Sequence, residues 1–132
     1  MHEQVYINLP VKDVKRSRKF FTSLGYGINE QYSDDKALCV LFSDNIIAML
    51  LHQDFIATFT NKPIAMADTQ TGVLVCLKCE NKAEVDALVA KALAAGGTTP
   101  MESKDYGFMY QHGFQDLDGH CWELVSMPAA QS

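Results

Sequence analysis

Residues 114–125, FQDLDGHCWELV, decide the fold of this chain. Within them the pair Asp118-Gly119 separates two strand-like runs, 106–115 and 121–127, and Asp-Gly is a strong signal for a tight hairpin turn. The first half of the chain has a comparable turn signal, Ser43-Asp44-Asn45, between two further apolar runs. Two such turns at equivalent places in a short chain indicate an internal repeat.

A helix precedes each turn. Asp13 is a good N-cap for the run VKRSRKFFTSL, and Gly25 ends that helix. Asn81 has the same place before KAEVDALVAKALAA, which Gly96-Gly97 ends. Both runs have apolar residues at helical spacing, namely Val14, Phe20, Phe21 and Leu24 in the first and Val85, Leu88, Val89, Ala92 and Leu93 in the second. Each helix is therefore expected to bury one side.

Strand-like runs complete both halves. They lie at 5–9, 26–32, 37–42 and 46–51 in the first half and at 72–79, 98–101, 106–115 and 121–127 in the second. We predict an α+β fold of two tandem βαβββ modules within a single domain, 1–132. Module one spans about 4–60, a connector about 61–71 and module two about 72–127.

The repeat also aligns individual residues. Matching the helix caps pairs Tyr6 with Leu74, and matching the turns pairs Met49 with Glu123. The alternative is two unrelated α+β halves, but the shared order of cap, glycine stop and turn favours the repeat.

Charge and composition exclude several classes of function. The chain has 132 residues and a net charge of -5, so its surface repels phosphate, and nucleic acid is not an expected partner. The opening residues MHEQVYINLP are too polar for a targeting segment, and no apolar run reaches the ~20 residues of a membrane span. We expect a cytoplasmic protein with reduced cysteines. Cys76 and Cys79 form a C-x-x-C, but residues three apart on a strand point to opposite faces, which disfavours a zinc site.

Two stretches resemble the vicinal oxygen chelate superfamily. They are NLPVKDVKRSRKFFTSLGY at 8–26 and FQDLDGHCWELV at 114–125, and the second is similar to the family signature F-x-D-P-D-G-x-x-x-E-L with Leu117 in the proline place. The family includes glyoxalase I, bleomycin-resistance proteins, thiol transferases acting on fosfomycin and extradiol dioxygenases, and the chain is also similar to a lactoylglutathione-lyase-like branch. The resemblance extends from about Val5 to Val125. It implies two modules forming a half-open barrel around a cavity, and a homodimer.

The resemblance also implies four metal-ligand positions, which fall on Tyr6, Met49, Leu74 and Glu123. Only Glu123 is a usual ligand, because leucine has no donor atom and a methionine thioether does not suit a hard or borderline divalent ion. A catalytic metal usually needs about three protein ligands. We therefore expect no metal and no cofactor, with a divalent metal as the alternative. The same positions argue against an iron dioxygenase, which needs two histidines and a carboxylate.

Glu123 is the main candidate site residue. It is either a cavity carboxylate, able to act as a base or a hydrogen-bond partner, or a partly exposed strand glutamate. A two-residue turn at Asp118-Gly119 pairs Phe114 with Glu123 and His112 with Val125. His112 is then expected on the face of Glu123, as a catalytic partner. The alternative for His112 is a surface histidine.

The other cavity candidates are Tyr6, Asn8, Met49, Leu74 and Phe108. Tyr6 and Asn8 share one face of their strand, although Tyr6 is equally compatible with a core tyrosine. The hypothesis that follows is a metal-independent homodimer that binds a small apolar or aromatic molecule. The alternatives are a lyase, isomerase or transferase of the glyoxalase type, using a non-standard metal set such as Glu123, His112 and Tyr6, and a dimeric regulatory module with a filled barrel.

Overall fold

The computed structural model describes residues 1–127. The chain divides after Met66 into two compact units, and each unit contains one module. Within residues 1–127 no helix is both long enough and apolar enough to cross a membrane.

Module one follows the predicted order of strand, helix and three strands. Its elements are β1 (Val5–Val11), α1 (Val14–Ser23), β2 (Gly27–Ile28), a 3-10 turn (Glu30–Tyr32), β3 (Ala37–Leu41), β4 (Ile46–His52), the short helix α2 (Gln53–Ile56) and a second 3-10 turn (Ala57–Phe59). The strand order in the sheet is β1-β4-β3-β2, with β1 parallel to β4 and the other pairs antiparallel. Pro10 is tolerated because β1 is an outer strand.

Module two repeats this topology. Its elements are β5 (Leu74–Lys78), α3 (Lys82–Ala94), β6 (Lys104–Asp105), β7 (Tyr110–Gln115) and β8 (Cys121–Ser126), in the sheet order β5-β8-β7-β6. The strand registers correspond as well, since Asn8 pairs with Met49 and Cys76 pairs with Glu123. Asn8 lies two residues after Tyr6, as Cys76 does after Leu74. The predicted α+β fold of two βαβββ modules and its residue alignment are therefore confirmed.

Both predicted helix caps are present. The Asp13 carboxylate accepts a hydrogen bond from the Arg16 backbone N–H at 3.1 Å, and the Asn81 side chain accepts one from the Glu84 N–H at 2.8 Å. Gly25 follows the first helix with φ of 98°, a left-handed conformation that glycine adopts without a steric penalty.

Each helix packs on one face of its own sheet. All four predicted apolar residues of the first helix are buried, namely Val14, Phe20, Phe21 and Leu24. On α3 the buried residues are Val85, Val89 and Ala92, while Leu88 is half-buried. Leu93, which shares their helical spacing, is 49% exposed.

Three predicted strands differ from the structure by more than two residues at an end, and one of them is 106–115, which is a strand only over Tyr110–Gln115. The run 26–32 keeps only a two-residue strand, because the Asn29 side chain accepts a hydrogen bond from the Gln31 N–H and starts a 3-10 turn. The run 98–101 forms only an isolated bridge between Thr98 and Gln115, and the strand beside β7 is Lys104–Asp105 instead.

Candidate functional site

The two sheets differ on the face opposite the long helix. In module one the short helix α2 follows β4 directly and covers this face. Ala37, Leu51 and Ile56 form a small core there, against which Met49, Phe55 and Ile64 pack. Met49 is thus half-buried and packs against the core of its own module.

In module two the equivalent face is open. It holds a pocket of about 470 Å³. The residues that line it are Thr71, Leu74, Pro100, Met101, Glu102, Lys104, Gln111, His112, Gly113, Phe114, Gln115, Cys121, Trp122 and Glu123. The module that carries Glu123 therefore has the space that a small molecule needs.

Glu123 lies in the middle of this pocket face. On β8 it pairs with Cys76 of β5 on one side and with Gly113 of β7 on the other. Its side chain is half-buried, and the Gln111 side-chain amide donates a hydrogen bond to its Oε2 at 2.6 Å. The carboxylate is thus held by a neutral donor on the neighbouring strand.

The predicted register of β7 against β8 is wrong, and His112, although among the residues that line the pocket, does not share the strand face of Glu123. In β7 and β8 it is Gly113 that pairs with Glu123, while His112 pairs with Leu124 and Phe114 with Trp122. The chain turns through three residues, closed by a hydrogen bond from the Asp116 N–H to the His120 carbonyl, and not through two. One extra loop residue moves every side chain of a strand to the other face, so the side chain of His112 points to the face opposite Glu123.

The shifted register reveals site residues that the sequence reasoning missed. Gln111 and Gln115 share the face of Glu123, and the Gln115 side-chain amide donates to Cys121 Sγ at 3.5 Å. A three-residue hairpin loop ending in a left-handed glycine is a common alternative to the two-residue turn. Gly119, with φ of 89°, fits that pattern. A three-residue loop at this turn predicts that Gln111, and not His112, shares the face of Glu123.

Gly113 keeps the centre of β7 close to β8. A Cβ atom added at this position would lie 2.7 Å from the Trp122 carbonyl oxygen and 3.4 Å from Glu123 Cα. Real Cβ atoms do not approach backbone so closely. Glycine therefore allows β7 to lie directly beside Glu123, between the side chains of Gln111 and Gln115.

The remaining candidate residues lie at exposed positions. Tyr6 is 51% exposed, and its hydroxyl donates to Gln4 Oε1 at 3.0 Å. Asn8 is exposed on the same strand. Leu74 lines the module two pocket and is 53% exposed, whereas Phe108 is 70% exposed in the turn between β6 and β7, where its ring lies 5.9 Å from that of Tyr106.

A buried carboxylate outside the pocket holds the β7–β8 turn. Asp116 accepts hydrogen bonds from the backbone N–H groups of Asp118 and His120 and from Trp122 Nε1, at 2.9, 3.0 and 3.0 Å. Burial raises the pKa of Asp116, while His120 and the three donors act in the opposite direction. This is the first aspartate of the F-x-D-x-D-G pattern, and its contacts give it a structural role in the turn.

The cysteines of module two differ in their surroundings. Cys121 is half-buried and lines the pocket, while Cys76 is exposed beside Glu123. Burial and the nearby Glu123 charge raise the pKa of Cys76. Burial, with Glu84 and Cys76 nearby, raises the pKa of Cys79 to about 11. Cys76 and Cys79 are therefore mainly neutral thiols at pH 7.

The residues at the four metal-ligand positions that the family resemblance implies do not fit a divalent ion. Module one has Tyr6 and Met49 at these positions, and module two has Leu74 and Glu123. Within residues 1–127 no group of three or more His, Cys, Asp or Glu side chains is placed to hold a metal ion. These four residues therefore do not supply the roughly three nitrogen, oxygen or sulfur ligands that a catalytic metal usually needs.

The fold is that of two repeated βαβββ modules with the same sheet order. A family model described as the Glyoxalase/Bleomycin resistance protein/Dioxygenase superfamily matches residues 3–124, and the chain belongs to that superfamily. No curated protein matches the chain.

Solved structures share this fold. A hypothetical protein from S. aureus is 25% identical, with a TM-score of 0.80 over 96% of this chain and 94% of that chain. A glyoxalase/bleomycin resistance protein/dioxygenase family enzyme from Burkholderia phytofirmans PsJN is 17% identical, with a TM-score of 0.73 over 92% and 96%. The fosfomycin resistance protein FosX from Listeria monocytogenes is 17% identical, with a TM-score of 0.69 over 98% and 96%. The last two likenesses concern the fold alone.

Proposed function

We propose that module two binds a small apolar or aromatic molecule without a metal, with Glu123 as the hydrogen-bond acceptor for that molecule. The observation that carries the proposal is the pocket itself, in which a half-buried carboxylate is oriented by Gln111 at 2.6 Å. Its volume of about 470 Å³ suits a small ligand, since such sites typically measure about 300–1,000 Å³.

The pocket combines apolar walls with few polar groups. Leu74, Pro100 and Met101 supply apolar surface, and Gln111, Gln115 and Glu123 supply polar atoms on the strands. This is the usual composition of a binding site, in which apolar contact gives affinity and a few polar groups fix the orientation.

The alternative functions have less support. A lyase, isomerase or transferase using Glu123 with His112 needs both side chains on one face, and the register separates them. A regulatory module with a filled interior does not account for the open pocket of module two.

Titration of a simple aromatic probe tests the proposal. We expect saturable binding of 2-naphthylmethanol to the full chain, detected by chemical-shift changes of the Gln111 and Gln115 side-chain amides. The substitution Glu123→Gln keeps the shape but removes a charge-assisted hydrogen bond of about 1.5–3 kcal/mol, so the Kd should rise roughly tenfold to a hundredfold. Glu80→Gln, at an exposed residue outside the pocket, is the matched control and should leave the Kd unchanged. Absence of saturable binding contradicts the proposal.

A further inference from the structure

The polar side chains of the pocket present oxygen atoms to a bound molecule. A carboxylate only accepts, so Gln111 turns one N–H of its NH₂ group towards Glu123, and its carbonyl oxygen and second N–H are left for other partners. The Gln115 NH₂ group donates to Cys121 Sγ, so the carbonyl oxygen of Gln115 is also left for another partner. Three neighbouring side chains on β7 and β8 therefore offer acceptor oxygens to a bound molecule.

The charged side chains that line the pocket give it a net negative charge. Its charged lining residues are Glu102, Lys104 and Glu123, which are two carboxylates and one ammonium group. Within residues 1–127 the hydrogen bond from Gln111 holds the Glu123 carboxylate, and no basic side chain forms an ion pair with it. Glu123 is thus held by a neutral donor, and the single ammonium group of the lining, on Lys104, does not form an ion pair with it.

Filling the pocket removes solvent from Glu123. A carboxylate that loses water without gaining a partner is strongly destabilised, so a purely apolar molecule over Glu123 binds poorly. A positively charged donor on the molecule restores the lost interactions, because hydrogen bonds between ionised partners are the stronger kind.

We infer that the molecule bound in this pocket carries a positively charged hydrogen-bond donor, an ammonium or amidinium group, attached to an apolar or aromatic body. The donor group lies against Glu123 and the carbonyl oxygens of Gln111 and Gln115, and the body lies against Leu74 and Met101. This inference rests on the proposed function and specifies the chemical class of its ligand.

Two probes of the same shape test the charge requirement. 2-Naphthylmethylamine is an ammonium ion at pH 7, and 2-naphthylmethanol is its neutral counterpart. Both are titrated into the full chain, with the side-chain amide signals of Gln111 and Gln115 as the readout. We expect the ammonium probe to have a Kd at least about tenfold lower, the difference that a charged hydrogen bond produces. Glu123→Gln should bring the ratio of the two Kd values close to one, while Glu80→Gln, which removes the same charge outside the pocket, should leave the ratio unchanged.

The outcomes separate this inference from the proposed function. If the alcohol binds as tightly as the ammonium probe, or if the ratio persists in Glu123→Gln, the charge requirement is overturned while binding in the pocket stands. A ratio that falls equally in Glu80→Gln overturns it too, because the preference then comes from the net charge. If neither probe shifts the two amide signals, both the proposed function and this inference fail.

Discussion

Asp116 holds the turn of the β7–β8 hairpin through three buried hydrogen bonds. Replacing it with alanine removes the acceptor from two backbone N–H groups and from the Trp122 indole. Loss of a partner for a buried donor costs about 1–3 kcal/mol, so we expect Asp116→Ala to lower the free energy of unfolding by about 3 kcal/mol or more. Urea denaturation followed by the fluorescence of Trp122, the single tryptophan of the chain, measures this.

Asparagine at the same position is the matched control. Its carbonyl oxygen can still accept from the N–H groups of Asp118 and His120, but its NH₂ group then faces the Trp122 N–H. Asp116→Asn should therefore lose less stability than Asp116→Ala. Equal stability of the wild type and the alanine variant contradicts the role of this carboxylate in the turn.

Glu123 can be identified from the sequence, but its hydrogen-bond partner cannot. Glu123 itself was identified by alternation and by the family signature, and the structure places it in a pocket. Its partner was missed, because the identity of a cross-strand neighbour depends on the loop length to a single residue. The carboxylate of Asp116 stabilises the three-residue loop, and that loop places Gln111, in place of His112, beside Glu123.

At the scale of elements, the pairing of β7 with β8 depends on Gly113. A methyl group there lies 2.7 Å from the Trp122 carbonyl oxygen, a backbone atom that cannot move without disturbing the ladder. We expect Gly113→Ala to lower the free energy of unfolding by about 1–3 kcal/mol, as overpacking typically does. Thermal or urea denaturation measures the change.

Gly27 provides the control for this strand substitution. It also lies in a strand, but a Cβ atom there meets only the Leu41 side chain, at 3.7 Å, which is ordinary contact. Gly27→Ala should be close to neutral. Equal effects of the two substitutions contradict the close approach of β7 and β8 as the cause.

Elements with a local signal were predicted well, and elements that depend on distant partners were not. Both long helices have caps and glycine stops within their own sequence, and both are present as predicted. The strand expected at 98–101 has no such signal, and its place beside β7 is taken by Lys104–Asp105. Strand pairing is decided by tertiary contacts. Pro100 has no backbone N–H to donate, which disfavours a strand at 98–101.

At the scale of the whole molecule, the repeat made the topology predictable, but it did not predict how the two modules differ. The same sheet order and corresponding registers occur twice. The difference arises from α2. Through Ile56 and Phe55 it covers the sheet face of module one that lies opposite the long helix, whereas the described part of module two leaves its equivalent face open. A four-residue helix carries too little periodicity to show from sequence which face it covers.

We predict that the chain forms a homodimer. Exposed apolar residues lie on or beside the outer strands β1 and β5, with Val5 at 46% and Val73, just before β5, at 51%. Unpaired sheet edges with apolar side chains favour association, and a two-fold pair is the commonest way to cover them. Sedimentation equilibrium at micromolar concentration should therefore give twice the chain mass of 14.7 kDa.

The double substitution Val5→Lys with Val73→Lys should weaken the dimer at least about tenfold, because charged residues at sheet edges oppose pairing. Leu93→Lys changes an equally exposed apolar residue on α3, away from the edge strands, and should leave the dimer intact. A monomer mass for the wild type, or equal weakening by Leu93→Lys, contradicts an interface at these edges.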